Sequence, residues 1–158
     1  MRKTHKRARL LEILLVEDSP ADVRYLREIL AEGRLANRIT VLPDGDSALD
    51  YLRGKEEYAG AVKPDLVLLD LNLPGRDGRR VLEEIRRDPL LARLPVAILS
   101  TSSAPEDSAL GYGLGAVSYL VKPPDLGQLL KAALRVEGFG LALVANEHAP
   151  AGRRKGGR

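Results

Sequence analysis

Ile13-Leu14-Leu15-Val16-Glu17-Asp18-Ser19-Pro20 is the stretch on which the reading of the fold turns. Four apolar residues run without interruption and then give way to two acids and a Ser-Pro pair. An apolar run this short, unbroken by polar residues, reads as a strand covered on both faces. Ser19 is a helix N-cap, and Pro20 suits the first helical position, where the missing amide would have had no intrahelical partner. Val23, Leu26, Ile29 and Leu30 follow at helical spacing, and Gly33 closes the segment. A buried strand that turns directly into an amphipathic helix is one βα unit, and it leaves Glu17 and Asp18 at the carboxyl end of its strand.

Working outward, the same unit recurs. Ile39–Leu42 leads through Asp44-Gly45-Asp46 to a helix with Ala48, Leu49 and Leu52, ending near Gly54. Leu66–Leu69 leads through Pro74-Gly75 and Asp77-Gly78 to a helix with Val81, Leu82 and Ile85, stopped by Asp88-Pro89. Val96–Leu99 precedes a weakly patterned helix around Glu106–Leu110. Val117–Val121 precedes Pro123-Pro124 and a helix whose apolar face reads Leu126, Leu129, Leu130, Ala133 and Leu134. Alternating strands and helices predict an α/β fold around a parallel sheet. The first, third and fourth strands are unbroken apolar runs, whereas Thr40 and Ser118 interrupt the second and fifth, which marks those two as edges. Edges numbered 2 and 5 fit the flavodoxin-like doubly wound sheet with strand order 2-1-3-4-5. Its ligands bind beyond the carboxyl ends of the first and third strands.

A chain of 158 residues with 44% hydrophobic content supports one domain with a full core. Zero cysteines exclude a disulfide framework, a thiol nucleophile and cysteine-ligated metals. Apolar runs such as Leu66–Leu69 and Leu141–Ala145 fall far short of the roughly 18 residues of a membrane span. Glu12 interrupts, and Glu17-Asp18 ends, the only stretch resembling a signal peptide. The expectation is a soluble cytoplasmic protein with no membrane partner. The net charge of +3 is misleading, because residues 1–9 hold five Lys/Arg and residues 153–158 hold four, with no acid in either. The body between them carries 16 basic and 22 acidic residues. Neither tail has an aromatic to stack on bases or the pattern of a recognition helix, so no specific nucleic-acid partner is expected. The expected organisation is a disordered basic tail over 1–9, a folded domain over 10–137, and a C-terminal extension over 138–158 with a basic, disordered end.

The strand ends carry the chemistry. Glu17 and Asp18 follow the first strand and Asp70 follows the third, so three carboxylates converge on one crevice. Like charges this close require either a raised pKa or a bound cation. An all-oxygen set without His or Cys points to Mg²⁺. Ser100 and Thr101 follow the fourth strand and Lys122 the fifth. Hydroxyl donors, an ammonium and a carboxylate beside a cation suit phosphoryl transfer, with Asp70 as nucleophile. Any one of these residues alone would read as a loop cap or a surface charge; four strand ends with matched chemistry do not.

The stretch Ile13–Pro20, the block Pro64-Asp65-Leu66-Val67-Leu68-Leu69-Asp70-Leu71-Asn72-Leu73-Pro74-Gly75-Arg76-Asp77-Gly78, the strand Pro95–Thr101 and Val121-Lys122-Pro123 together resemble the receiver domain of two-component response regulators. The resemblance covers about residues 11 to 136. It implies that Glu17 and Asp18 are the acidic pair at Mg²⁺, that Asp70 is the phosphoacceptor and that the Asn72 main-chain carbonyl is a further metal ligand. It also implies that Ser100 is the phosphate-sensing hydroxyl, Lys122 the phosphate-pairing lysine and Tyr119 the switch aromatic, and that the Lys122-Pro123 bond is cis. Thr101 stands where the family commonly has Ala, and is expected to narrow access to Asp70 and slow phosphate loss. Ser100 stands where Thr is usual and can make the same bond. The longer second unit over Asp44–Lys63, Ser100-Thr101-Ser102 and the segment after the last helix are similar to stand-alone receivers paired with bacteriophytochrome sensor kinases. The implied partner is therefore a sensor histidine kinase of that kind, and the signal is expected to pass by protein contact or phosphorelay, without a separate output domain.

An alternative is a phosphatase of the haloacid dehalogenase type, which also forms an aspartyl phosphate. Its general acid belongs two residues after the nucleophile, where this chain has Asn72, and its acidic pair follows the nucleophile instead of preceding it. A phosphate-independent adaptor is disfavoured by the intact set of acidic and basic groups. Gly111-Tyr112-Gly113-Leu114-Gly115-Ala116 matches a dinucleotide-binding fingerprint in letters, but it follows a helix and precedes a strand, the reverse of the required order. His5 and His148 have no partner spacing and read as surface residues. Phe139 and Leu141–Val144 extend the apolar surface past the last helix, and with the fifth-strand side they predict a homodimer.

Overall fold

A computed structural model of the chain describes residues 10–33, 35–73 and 78–136. In chain order the elements are β1 (Leu11–Val16), α1 (Pro20–Glu32), β2 (Asn37–Leu42), α2 (Gly45–Leu52), a single 3₁₀ turn (Glu56–Tyr58), β3 (Leu66–Asp70), α3 (Gly78–Arg87), β4 (Val96–Ser100), α4 (Pro105–Gly113), β5 (Ser118–Val121) and α5 (Leu126–Ala133). All strand pairs are parallel and the order is β2-β1-β3-β4-β5, as expected. The basic tails, both histidines, Pro74–Asp77 and the apolar segment over 139–144 lie outside the described residues, as does the last residue of the expected 10–137 domain.

The period of two along each central strand builds both layers of the core at once. Ile13 and Leu15 of β1, Leu66 and Leu68 of β3, and Ala97 and Leu99 of β4 face α1 and α5. Their alternates Leu14 and Val16, Val67 and Leu69, and Val96 and Ile98 face α2 and α3. All residues of β3 and β4 are buried, while β2 and β5 are mixed, which is the texture that marked them as edges. Register aligns the carboxyl ends: Val16 lies opposite both Leu42 and Leu69, Asp70 opposite Leu99, and Ser100 opposite Val121. Among the described residues no helix is long and apolar enough to cross a membrane.

The boundaries differ from the sequence reading where a polar residue or a small one misleads. β1 starts earlier, because the Leu11 amide donates to the Ala36 carbonyl (2.9 Å) while Glu12 turns outward to Arg38 (3.2 Å). β5 starts one residue later, at Ser118, and α4 is longer than expected although Gly111 is its only buried residue. The apolar face read for the last helix is corrected. The buried stripe is Leu129, Ala132, Ala133 and Val136, spaced i, i+3, i+4 and i+7, whereas Leu134 is 46% exposed. Leucine size drew the reading away from Ala132, which is fully buried.

Helix entry is set by local caps. The Asp22 amide donates to Ser19 Oγ (3.3 Å) at α1, Ser47 to Asp44 (2.7 Å) at α2, and Asp125 and Gln128 form a reciprocal capping box at α5. At α3 the constraint is space. A Cβ on Gly78 would lie 2.7 Å from the Asp70 carbonyl oxygen and 2.8 Å from Leu71 Cα, both backbone atoms. Gly78 is what lets α3 begin directly behind the β3 carboxyl end. Gly78→Ala should therefore destabilise by about 1–3 kcal/mol, read by urea melts. Gly113→Ala, facing open space at the end of α4, should be neutral or stabilising by up to about 1 kcal/mol. Equal melts for the two variants would refute the packing argument.

Candidate functional site

The site is assembled from the carboxyl ends of four strands. Glu17 follows β1 with its side chain only 1% exposed, Asp70 ends β3 at 3%, and Ser100 ends β4, also buried. Asp18 is exposed beside Glu17, and one carboxylate oxygen from each of Glu17, Asp18 and Asp70 lies within 4.8 Å of the others. Asp70 Oδ1 accepts from the Asn72 amide (2.9 Å), which fixes the carboxylate against its own turn. Glu17 Oε1 accepts from the Ser19 amide (3.2 Å) just ahead of α1.

Lys122 closes the site. Its main-chain amide donates to the Ser100 carbonyl (2.7 Å), the Lys122-Pro123 bond is cis as expected, and Tyr25 of α1 holds the Pro124 carbonyl (2.8 Å). The ammonium lies 2.7 Å from Glu17 Oε2, 3.0 Å from Asp22 Oδ2 and 3.3 Å from Asp70 Oδ2. Burial would lower its pKa, but the hydrogen bonds to Glu17 and Asp22 and the charge of Asp70 outweigh burial and raise it. Glu17 goes the other way for a carboxylate. Burial raises its pKa to about 6, the Lys122 hydrogen bond opposes that, and the Asp70 charge adds to it.

Of the residues singled out by sequence, all but Tyr119 come together at this end of the sheet. Glu17, Asp18, Asp70 and Lys122 form one cluster, and Asn72 touches it through its amide. Ser100 and Thr101 border it, and Thr101 lines both a cleft shared with Asn72 and Ser100 and one shared with Glu17 and Lys122. Tyr119 is set back, its hydroxyl donating to the Ser102 carbonyl (3.0 Å). Four contributors were not read from the sequence: Asp22, Ser102, Asp107 and Arg79. Asp22, three residues after the cap of α1, reads as an ordinary first-turn acid near a helix dipole. Only the fold brings it to Lys122, a hundred residues away.

Three carboxylates, those of Glu17, Asp22 and Asp70, stand around one ammonium and a fourth, Asp18, lies beside Glu17 and Asp70, so the donor set carries uncompensated negative charge and fits a hard divalent cation bound through oxygen. Comparison with known proteins agrees. Residues 13–134 match the response regulator receiver domain family. Response regulator Rcp1 from Synechocystis sp. is 42% identical over 132 residues, covering 84% of this chain and 90% of the relative. The Mn²⁺-bound form of Rcp1 superimposes with a TM-score of 0.68 at 39% identity, over 81% of this chain and 96% of the other. The phosphorylated cyanobacterial phytochrome response regulator RcpA does so with 0.68 at 42%, over 88% and 93%. The bacteriophytochrome response regulator AtBRR gives 0.72 at 38%, over 81% and 93%.

The raised Glu17 pKa has a thermodynamic consequence in the metal-free protein. A carboxyl that ionises near 4.5 when unfolded and about 6 when folded contributes stability fully below the first value and loses it as pH rises through the second. Relative to Glu17→Gln, the metal-free wild type should lose about 2 kcal/mol of stability between about pH 4 and about pH 7. Paired urea melts across that range test this, and a pH-independent difference would contradict the assignment.

Proposed function

We propose that this chain, which belongs to the response regulator receiver domain family, takes a phosphoryl group onto Asp70 from a sensor histidine kinase and signals by the change of shape that follows. The observation that carries the reading is the setting of the Asp70 carboxylate. It is buried, aimed by the Asn72 amide, faced by the Lys122 ammonium, and bordered by the Ser100 strand end. Attack by an Asp70 oxygen on phosphorus forms the acyl phosphate as the bond from phosphorus to the donor imidazole breaks, and the released imidazole keeps the electron pair and takes up a proton. The Asn72 amide orients the nucleophile. Lys122 offsets charge on the transferred group, and the Ser100 hydroxyl donates to one of its oxygens. A Mg²⁺ ion held by Glu17, Asp18, Asp70 and the Asn72 carbonyl would neutralise the carboxylates and the phosphoryl oxygens when bound.

A phosphatase of the haloacid dehalogenase type has no support. The position that would need its general acid is Asn72, whose side chain has no ionisable proton and whose main-chain amide instead aims Asp70. The chain's own chemistry is confined to phosphoryl transfer to Asp70 and slow hydrolysis of the product, with Thr101 restricting the approach of water. The names of RcpA and AtBRR favour a phytochrome-type kinase as partner. A phosphohistidine is charged from ATP, so the cytoplasm is the fitting compartment. We also favour a homodimer, because Leu110 (42%), Tyr112 (53%) and Leu134 (46%) expose apolar surface on and beside α4 and α5. The sequence continues with Phe139 and Leu141–Val144. Light scattering should give a dimer at tens of micromolar (roughly, above the dissociation constant of a weak interface), and a monomer with and without phosphodonor would rule it out.

The direct test is incubation with acetyl phosphate with and without Mg²⁺, followed by intact-mass analysis. One labile phosphoryl adduct is expected, Mg²⁺-dependent and absent in Asp70→Asn. An adduct that persists in Asp70→Asn would overturn the site. Lys122→Ala should still bind the metal but lose phosphorylation-dependent partner binding. Unaltered phosphorylation-dependent binding would remove the lysine from the mechanism.

A further inference from the structure

Lys122 has one partner that belongs to no other part of the site. An ammonium has three hydrogens to donate. Two of those on Lys122 go to Glu17 Oε2 (2.7 Å) and Asp22 Oδ2 (3.0 Å), and Asp70 Oδ2 stands farther off, at 3.3 Å. Glu17 and Asp70 are also two of the three acids whose oxygens converge within 4.8 Å of one another, and Asp22 is not among them. Asp22 lies in the first turn of α1, where its amide is fixed by Ser19 Oγ (3.3 Å). Tyr25, three residues on and so on the same face of the helix, donates to the Pro124 carbonyl (2.8 Å). The helix therefore holds the turn after β5 at two points, the Lys122 head group and the main chain two residues later. Asp22, Tyr25 and Lys122 line one cleft of about 370 Å³.

We propose that Asp22 is a positioning residue that keeps the Lys122 ammonium at the site when the carboxylates of Glu17 and Asp70 are engaged by a divalent cation. The proposal rests on the reading of Asp70 as phosphoacceptor and of Glu17, Asp18 and Asp70 as the acids that hold the metal. A carboxylate already drawn to a dication is a poorer partner for an ammonium, and two cations served by the same two acids repel each other. The lysine, a point charge on a flexible four-carbon stem, is the one free to move. With Glu17 and Asp70 as its only partners, it would either compete with the metal for them or leave for water. Asp22 offers it a carboxylate outside the metal set, so that both positive charges are in place when a phosphoryl group reaches Asp70. Asp22 is 43% exposed, and so well solvated an acid contributes little to folding as an ion pair. Its effect is on where the ammonium sits.

The test uses the full chain with Mn²⁺ as the probe, its binding read from the free-ion electron paramagnetic resonance signal at physiological salt. Asp22→Ala should weaken Mn²⁺ binding roughly threefold to tenfold, because the ammonium is left with only the metal's own ligands to pair with. In a Lys122→Met background, where no ammonium competes, the same substitution should weaken binding less than about twofold. Asp22→Glu should bind Mn²⁺ as the wild type does. The second readout is the rate of adduct formation with acetyl phosphate at saturating Mg²⁺, followed by intact mass over time. By charge alone, removing an acid from the site would speed capture of an anionic donor. Loss of the lysine's anchor predicts the reverse: a fall of roughly threefold to tenfold in Asp22→Ala, recovered in Asp22→Glu and absent in the Lys122→Met background. Equal losses of Mn²⁺ affinity in the two backgrounds, or an Asp22→Ala adduct that forms on Asp70 as fast as in the wild type or faster, would overturn the role of Asp22 and leave the phosphoacceptor reading standing. Absence of an adduct in the wild type would overturn both.

Discussion

The ammonium of Lys122 is the group on which the site's geometry depends. It is 14% exposed and lies within 3.3 Å of carboxylates from the β1 end, from α1 and from the β3 end. Three acids brought together by the sheet would repel one another, and two of them, Glu17 and Asp70, are cut off from water. A cation carried in from beyond β5 is what makes their burial tolerable, since a buried charge without a partner costs several kcal/mol. The compensation is partial. Burial and the charge of Asp70 still hold the Glu17 pKa up at about 6, so the site is left short of positive charge, and that deficit is what a divalent cation can offset.

The rest of the fold serves to bring that lysine to those acids. Parallel strands in register set Glu17 and Asp70 side by side, but Lys122 comes from the edge strand, with β4 and β3 between β5 and β1. The chain covers that span by folding over the sheet end: the Lys122 amide returns to Ser100, and Tyr25 fastens Pro124 to α1. Arg86 does the equivalent work at the opposite end. Its guanidinium donates to the carbonyls of Ala92, Leu94 and Gly115, joining the α3–β4 and α4–β5 connections. Gly115, at φ 97°, leaves the room into which that side chain packs.

What could be read from the sequence follows from which interactions are local. Strand identity, edge against centre, and strand order were legible because burial on both faces imposes unbroken apolar runs, as in Leu66–Leu69, and partial burial permits Thr40 and Ser118. The site was legible where a residue sits at a strand end, since the register of a parallel sheet makes strand ends neighbours in space. Asp22, Ser102 with Asp107, and Arg86 were not legible. Each is a common polar residue on a helix or loop whose partner is fixed only by the way elements pack. Ala132 was missed for a different reason. A small residue carries little hydrophobic signal, although the close approach of α5 to the sheet requires it there.

The distribution of burial also fixes where a change at Asp70 can be felt. β1, β3 and β4 are almost wholly buried on both faces, so Glu17 and Asp70 are held by packing that cannot shift by fractions without opening voids. On the β5 side that restraint is slight. α4 buries only Gly111, β5 buries only Leu120, and the loop between β4 and α4 is held by the polar bonds of Ser102 instead of by apolar contact. Polar bonds beside a solvent-filled cleft exchange with water at small net cost, whereas core contacts do not. A charge added at Asp70 therefore meets a rigid wall on the β1 side and a yielding one toward α4 and β5. The asymmetry follows from the same pattern of apolar and polar residues that set the strand order.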